Sequence, residues 1–368
     1  MRVVALAAVL SVVTLASFIA AAQAGAKGFT GVVNPFFGRC ADGQKQGDCL
    51  SNKDLGRMQR SHLTTVRWGF RWNTVEGTKG VFNWSPTDQT IGALANSGSR
   101  VLPVVTATPP WAGATFETPP LKTHAARTGW REFLKAAVER YGPGGQYWTN
   151  PDLYQREYPD GPIRPINTWQ IWNEQNNKPA PTYIKPSKYR KLVEIAHDSI
   201  LKVDPKATIL LGGMPGYVHP RAWGYLKQLY KRRSFKHKFD AVAVHPYSPD
   251  VKHVLIQLKH MRRVMRKNHD AHAGLWITEL GWGSKRPSAG ATINKGPQGQ
   301  KRLLKKTFPR LQRHRRQWNL KHAFWYTWRD PPRSKPGCSF CSSSGLFKHN
   351  QKPKPAWNAF KHITASRR

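Results

Sequence analysis

The feature that most restricts the fold of this 368-residue chain is a regular alternation of eight short apolar runs with eight segments of helical character. The runs span 29–33, 65–69, 100–106, 168–174, 208–213, 239–244, 275–279 and 323–328. Strands that alternate with helices favour a parallel sheet covered by helices. No glycine-rich phosphate-binding loop follows any run, so a doubly wound nucleotide-binding sheet lacks its main support. The pattern predicts an α/β protein with a single (β/α)8 TIM-barrel domain.

Two of the predicted strands end in a glutamate. The stretch WQIWNEQNN, Trp169 to Asn177, finishes its apolar run at Asn173 and Glu174, and the stretch LWITELGW finishes at Glu279. Functional residues of barrels collect at the carboxyl ends of the strands. We therefore expect Glu174 and Glu279 to form a working pair, although both could be buried structural carboxylates.

The first residues resemble a targeting segment. An apolar run over 3–22 follows Arg2 and leads into Ala22-Gln23-Ala24, a small-x-small pattern typical of signal-peptide cleavage. We interpret 1–24 as a signal peptide and 25–368 as the catalytic domain of a secreted protein. An uncleaved anchor is the alternative, because the run is about long enough to span a bilayer.

The four cysteines are compatible with an oxidising compartment, where disulfide bonds persist. Cys40 and Cys49 flank a polar loop, and Cys338 and Cys341 form the sequence CSFC in another loop. We predict the local pairs 40–49 and 338–341. A redox motif or half of a zinc site is the alternative for CSFC, but no second CxxC or histidine pair has the required spacing.

The formal net charge is +39, with 59 Lys and Arg against 20 Asp and Glu. Much of the excess falls in segments predicted to be outer helices. A basic surface attracts polyanions such as an acidic polysaccharide, an anionic cell envelope or nucleic acid. The sequence contains no recognisable nucleic-acid-binding module, so no specific nucleic-acid partner is expected. A solvated basic face without a partner is the alternative.

The order of motifs resembles that of clan A glycoside hydrolases, and of families 39 and 5 in particular. The motifs are VRWGFRWNTVEGTKGVFNW after strand two, TPPWA after strand three, WQIWNEQN after strand four, HPY after strand six, ITELGW after strand seven and WYTWRD after strand eight. The resemblance covers most of the chain after the signal peptide. It implies retaining hydrolysis, with the acid/base on strand four and the nucleophile on strand seven.

The residues support the same chemistry, because a glycosidase needs one carboxylic acid to protonate the leaving oxygen and one carboxylate to attack. Glu174 would be the acid/base, its proton retained beside a second carboxylate and a tryptophan lining. Glu279 would be the nucleophile, kept ionised by Arg67 and Tyr247. A separation of about 5–5.5 Å would indicate retention and about 6.5–9.5 Å inversion. The resemblance further implies that Asn173 binds the sugar 2-hydroxyl; the predicted lining of the sugar site comprises His245, Tyr247, Trp111, Trp325 and Trp328.

Several of these residues also have a structural interpretation. His245 could be a hydrogen-bonded structural histidine and Arg67 a buried ion-pair residue. Trp172 could be a core residue or part of a subsite wall, while Asp88, Glu76 and Asp330 are expected to be structural. Neither a cofactor nor a metal is expected, because the histidines are scattered and no HExxH motif occurs.

Other functions remain open from the sequence. A carbohydrate-binding barrel without turnover and a polyanion-binding surface protein are alternatives, and a transglycosylase would use the same residues. We expect a monomer acting on a poly- or oligosaccharide. The charge favours an acidic glycan as substrate.

Overall fold

The computed structural model describes residues 28–36, 38–40, 49–178, 182–332 and 338–365. The predicted signal peptide, 1–24, lies outside these ranges and stays a prediction. Among the described residues, no helix combines the length and the apolar character that a membrane crossing requires.

Eight parallel strands form a closed barrel in which each strand pairs with the next along the chain and the eighth pairs with the first. This confirms the predicted (β/α)8 barrel. The strands are β1 (Thr30–Asn34), β2 (Thr65–Arg71), β3 (Arg100–Thr106), β4 (Thr168–Asn173), β5 (Thr208–Pro215), β6 (Ala241–His245), β7 (Gly274–Leu280) and β8 (Leu320–Trp325).

Helices lie between the strands and cover the barrel. They are α1 (Asn52–Arg60), α2 (Trp72–Val75), α3 (Ser85–Asn96), α4 (His124–Tyr141), α5 (Gln146–Thr149), α6 (Pro186–Val203), α7 (Ala222–Leu229), α8 (Val251–Lys267), α9 (Gly296–Arg313) and α10 (Pro355–Ala365). The apolar spacing of the sequence predicts helix α4 over 129–141, but it begins five residues earlier, because Thr123 caps it by accepting a hydrogen bond from the Ala126 N–H.

The barrel interior is filled by side chains that alternate along the strands. Val33, Leu102, Leu210, Trp276 and Phe324 belong to this inner cluster. Gly31 of β1 leaves room for the Phe324 ring, since a Cβ at this position would overlap it. A larger apolar layer packs the opposite side of the strands against the helices.

The segment 142–165, a polar insertion rich in proline and tyrosine, connects α4 with β4. It contains α5 and a turn at Pro151–Gln155, and it buries Tyr147, Trp148 and Tyr154. The Tyr147 hydroxyl donates to the carbonyl of Asp88 in α3. Aromatic packing therefore fastens this insertion to the outer layer of the barrel.

Both predicted disulfide bonds are confirmed: Cys40 pairs with Cys49, and Cys338 pairs with Cys341. Each bond closes a short loop. The three acidic residues expected to be structural also have local partners: Asp88 binds Arg140, Glu76 accepts from the Trp72 indole, and Asp330 binds Lys354.

Candidate active site

Glu174 and Glu279 meet at the carboxyl-terminal mouth of the barrel. Glu174 directly follows β4, and Glu279 is the sixth residue of β7. One oxygen of each carboxylate and one ring nitrogen of His245 lie within 4.8 Å of one another. The side chains of Glu174 and Glu279 are only 15% and 12% exposed. The fold thus brings together two carboxylates that are far apart in sequence, in a largely dehydrated position.

Two donors hold the Glu279 carboxylate. Arg67 of β2 donates from Nη1 to Oε1 at 2.6 Å, and the Tyr247 hydroxyl donates to Oε2 at 2.8 Å. Burial by itself would raise the pKa of Glu279, but His245, Arg67 and the Tyr247 hydrogen bond outweigh it and lower that pKa below its ordinary value of 4.5. The arrangement favours a carboxylate over a carboxylic acid.

Arg67 is itself fixed in place. It is buried, its Nε donates to Gln170 Oε1 at 2.8 Å, and its Nη2 donates to Asn173 Oδ1 at 2.7 Å. Three side chains on two other strands therefore share one guanidinium. This matches the ion-pair interpretation of Arg67, with its charge directed at Glu279.

His245, the last residue of β6, lies fully buried between Glu174 and β7. Its Nδ1 is 3.0 Å from Glu174 Oε1, and its Nε2 is 3.0 Å from the hydroxyl of Thr278. Gly213 of β5 provides the space, because a Cβ there would overlap the imidazole. His245 therefore contacts Glu174 directly and is oriented by Thr278.

The backbone that presents Glu174 adopts an uncommon conformation. Trp172 has φ +71° and Glu174 has φ +51°, values in the left-handed region that non-glycine residues rarely adopt. A Cβ at Gly212 would overlap the Gln175 side chain, so the glycine lets the turn approach β5 closely. Such strain persists where surrounding contacts enforce it, and it is concentrated at functional sites.

Trp325 and Trp328 do not line this mouth, contrary to the prediction. Trp325 is fully buried, donates its indole N–H to the Ser344 carbonyl and packs against Phe308 of α9. Trp328 is also fully buried, donates to Asp54 and packs against Trp357 of α10. The physical reason is the alternation of side chains: Phe324 points into the barrel, so the neighbouring Trp325 faces the helical layer. Trp328 lies beyond the strand, because β8 ends three residues before the predicted end.

The other two tryptophans considered from the sequence belong to the outer layer. Trp111 packs edge-on against Trp72 and donates to the carbonyl of Glu76. Trp172 is 4% exposed and packs edge-on against Trp130 of α4. The contacts of Trp172 support the core interpretation.

Two tyrosines that the sequence did not indicate lie beside the glutamate pair. The rings of Tyr326, directly after β8, and Tyr217, after β5, each lie 6.1 Å from the Tyr247 ring. Burial and then the charges of Glu174 and Glu279 raise the pKa of both hydroxyls. Tyr217 remains half exposed. Period-two alternation from the inward-facing Phe324 could have identified Tyr326, whereas no pattern marks Tyr217.

Glu174, His245 and Glu279 also have the donor atoms of a metal site. Both oxygens of Glu279 already accept hydrogen bonds, one of them from the guanidinium of Arg67. A cation at this position would lie beside a fixed positive charge. The donor set therefore suits proton transfer and nucleophilic attack by a carboxylate better than metal binding.

Comparison with solved structures shows the same fold in glycoside hydrolases. A family 39 glycoside hydrolase from Bacteroides cellulosilyticus matches with TM-score 0.67 and 20% identity over 93% of this chain and 64% of that one. A β-xylosidase from Caulobacter crescentus matches with TM-score 0.61 and 16% identity over 85% and 64% of the two chains. A family 5, subfamily 18 protein from Streptomyces cattleya matches with TM-score 0.63 and 13% identity over 93% and 81%.

The chain thus spans about two thirds of the family 39 protein and of the β-xylosidase. No family model and no curated protein matches the sequence. The likeness shows a shared barrel fold at low identity.

Proposed function

We propose that this chain is a retaining glycoside hydrolase that cleaves an O-glycosidic bond of a poly- or oligosaccharide. The observation that carries the proposal is that one oxygen of Glu174 and one oxygen of Glu279 lie within 4.8 Å of each other at the mouth of the barrel. Retaining glycosidases place their two carboxyl groups about 5–5.5 Å apart, whereas inverting enzymes leave about 6.5–9.5 Å for a water molecule. The shared fold with family 39 and family 5 glycoside hydrolases gives the proposal independent support.

Glu279 is the proposed nucleophile. Its carboxylate attacks the anomeric carbon while the glycosidic bond breaks, which forms a covalent glycosyl-enzyme intermediate. The hydrogen bonds from Arg67 and Tyr247 keep this group ionised and aim it at the mouth. The lowered pKa of Glu279 is what a nucleophilic carboxylate needs.

Glu174 is the proposed acid/base. With a proton on Nδ1, His245 donates to Glu174 Oε1, which leaves Oε2 to carry the acidic proton toward the leaving oxygen. After departure of the leaving group, the same carboxylate removes a proton from the water that hydrolyses the intermediate. Transfer to a sugar hydroxyl instead of water would make the chain a transglycosylase with the same residues.

Neighbouring groups provide contacts to the sugar. Asn173 accepts from Arg67 through Oδ1, so its Nδ2 is left to donate to the 2-hydroxyl, where a hydrogen bond strengthens in the transition state. Tyr326 and Tyr217 flank Tyr247 beside the glutamate pair and supply aromatic surface for an apolar sugar face. We assign to these tyrosines the sugar-stacking role that the sequence predicted for Trp325 and Trp328.

The predicted signal peptide supports secretion of the enzyme.

The test is hydrolysis of a panel of aryl glycosides and soluble polysaccharides by the wild type, Glu174→Gln and Glu279→Gln. Glu132→Gln is the matched control, because Glu132 is an exposed glutamate on α4 whose ion pair, among the residues that the structure describes, is with Lys135. We expect Glu279→Gln to abolish turnover of every substrate. Glu174→Gln should lose about 10²–10⁴-fold on a phenyl glycoside and much less on a dinitrophenyl glycoside, whose leaving group needs no acid.

The stereochemistry of the first product, followed by proton NMR, provides a second readout. Retention of the anomeric configuration is expected from the close carboxylates. Release of the inverted sugar would contradict the double-displacement mechanism. A wild type that binds a glycan but cleaves nothing would favour a carbohydrate-binding barrel, and equal loss in Glu132→Gln would show that the effect is not specific to the mouth.

A further inference from the structure

Basic and acidic side chains are distributed very unevenly along the chain. Residues 251–368 contain 27 of the 59 Lys and Arg but only three of the 20 Asp and Glu. These three, Asp270, Glu279 and Asp330, are all buried. The outer surface of this part of the barrel therefore presents cations without an exposed side-chain carboxylate.

Several of these cations line a groove between α8 and the segment that connects α9 with β8. The groove has a volume of about 470 Å³, with Lys259, Arg263, Arg266 and Lys267 along α8 and Trp318 on the opposite side. Within the described ranges, no carboxylate lies within ion-pair distance of these four cations. Their positions on successive turns place positive charges about 5.4 Å apart along the helix axis.

A buried arginine adds to the positive potential of the groove. Arg262 lines it and is 2% exposed, and its two terminal nitrogens donate to the carbonyls of Ala271, Ala273 and Trp318. Its Nε has no acceptor in the part of the chain that the structure describes. Burial and the neighbouring Arg266 lower the pKa of Arg262 to about 10, so the side chain is still charged at neutral pH. The nearby Asp270 carboxylate offsets only part of this effect, since the pKa of Arg262 stays lowered, and an anion in the groove would offset more of it.

A second basic depression continues the first. It has a volume of about 370 Å³, and Arg233, Lys236, Lys267 and His269 are among the residues that line it. Lys267 belongs to both depressions. Together they form an elongated basic path, which we call the floor groove.

The floor groove lies at the opposite end of the barrel from Glu174 and Glu279. Its loop residues directly precede β6, β7 and β8, whereas the glutamates lie at or after the ends of β4 and β7. A ligand in the floor groove would leave the mouth of the barrel open.

We propose that the floor groove binds a linear anionic polysaccharide. A groove lined by cations requires a negatively charged ligand. The extended path, with cations on successive helical turns, suits a polymer that carries one acidic group per sugar unit. Single-stranded nucleic acid is disfavoured, because its binding depends on exposed aromatic platforms for the bases. Trp318 and Tyr230, which line the two depressions, are both buried, and Trp318 stacks on His314. The proposal does not depend on the proposed glycosidase activity.

The test measures binding of the purified chain to polygalacturonate over a range of salt concentrations, with neutral dextran and a single-stranded DNA oligonucleotide as comparison probes. The floor variant combines Arg263→Ala, Arg266→Ala and Lys267→Ala. The matched control combines Lys301→Ala, Lys305→Ala and Lys306→Ala, which removes the same charge from α9 outside the groove. Repetition in a Glu279→Gln background prevents cleavage of the probe and leaves the groove intact.

The floor variant should bind polygalacturonate roughly tenfold more weakly and with a shallower dependence on salt, because fewer counterions are released. The control should change the Kd by less than about threefold, and thermal denaturation of both variants should match the wild type. Equal losses in the two variants would overturn the proposal in favour of a diffuse charge effect. Tighter binding of the oligonucleotide would make nucleic acid the partner, and dextran binding equal to that of polygalacturonate would exclude recognition of charge.

Discussion

The two ends of the barrel each contain a buried arginine, and the two have opposite surroundings. At the mouth, Arg67 donates to three side chains and binds the Glu279 carboxylate at 2.6 Å. At the floor, Arg262 donates to three backbone carbonyls, and its pKa is lowered by burial and by Arg266. Arg67 forms a close ion pair with Glu279, whereas Arg262 has no carboxylate within ion-pair distance among the described residues and feels Asp270 only at longer range. At one end of the barrel the arginine stabilises an ionised carboxylate. At the other end it adds to the positive electrostatic potential of the floor groove.

The largest expected effect comes from removing each arginine in turn. Arg67→Met leaves Glu279 buried without its cation, which should cost about 3–5 kcal/mol of unfolding free energy and most of the activity. Arg262→Met leaves backbone carbonyls without donors and should cost about 1–3 kcal/mol. Urea denaturation at neutral pH measures both values.

The pH dependence of the two losses of unfolding free energy distinguishes an unpaired carboxylate from unpaired backbone carbonyls as the cause. In the wild type the folded pKa of Glu279 is below 4.5, so its contribution to stability is present above that pH and is lost as the pH falls through the folded pKa. Without Arg67 the pKa of Glu279 rises, and protonation relieves the buried charge. The deficit of Arg67→Met should therefore shrink toward acid pH, while that of Arg262→Met should change less, because Arg262 hydrogen-bonds to backbone carbonyls and interacts with Asp270 only at longer range. Parallel curves for the two variants would contradict the contrast between the arginines.

The next largest effect tests which aromatic residues after β7 belong to the mouth. Trp325→Ala removes a fully buried ring from the layer beneath α9 and should cost about 3–5 kcal/mol of stability. Tyr326→Ala should leave stability closer to the wild type and raise KM for aryl glycosides, because its ring lies beside Tyr247 and the glutamates. Thermal denaturation measures the change in stability, and steady-state kinetics on the same preparations measures the change in KM. A higher KM with unchanged stability in Trp325→Ala would restore the sequence-based assignment.

The error at Trp325 shows what sequence periodicity can and cannot provide. The alternation of strands and helices identified all eight strands and both strand-terminal glutamates, because buried parallel strands have a strong apolar signal. It placed the end of β8 three residues too late and did not assign the residues there to the two faces of the strand. Neighbouring side chains of a strand point to opposite faces, so Tyr326 shares the inner face of Phe324 while Trp325 faces the helices.

Other residues of the mouth could be identified only from contacts across the barrel, or from a weaker signal in the sequence. Gln170 and Thr278 are polar residues inside apolar strands, a local signal that could have marked them as inward-facing, and both join the network around Arg67 and His245. Tyr217 lies in a loop, and only the folded chain brings it beside Tyr247. The groups with a chemical motif were predictable, and those placed by loop conformation were not.

An intermediate effect is expected from Tyr247→Phe, which deletes one of the two donors to Glu279. A hydrogen bond to a charged group contributes about 1.5–3 kcal/mol, so kcat/KM should fall about tenfold to a hundredfold. Loss of this donor also raises the pKa of Glu279, which moves the acid limb of the pH–rate profile to higher pH. Tyr225→Phe is the control, because its hydroxyl donates to the Ile184 carbonyl in the helical layer. An unshifted acid limb in Tyr247→Phe would mean that Glu279 does not control that limb.

The smallest expected effect concerns the cations on the outside of the barrel, where charges repel instead of pairing. Lys301 and Lys305 are four residues apart on α9, and like charges at this spacing destabilise a helix by about 0.2–0.5 kcal/mol. Lys305→Gln should therefore stabilise the chain by a few tenths of a kcal/mol, and Lys305→Glu by slightly more, because it creates an opposite-charge pair with Lys301. Urea denaturation at low and high salt measures both, and the gains should fade with added salt as screening increases. Destabilisation by both substitutions at low salt would mean that Lys305 makes a favourable contact. Repulsion between the cations on α9 would then not lower the stability of the chain, and these cations would not differ from Arg67 in the way proposed.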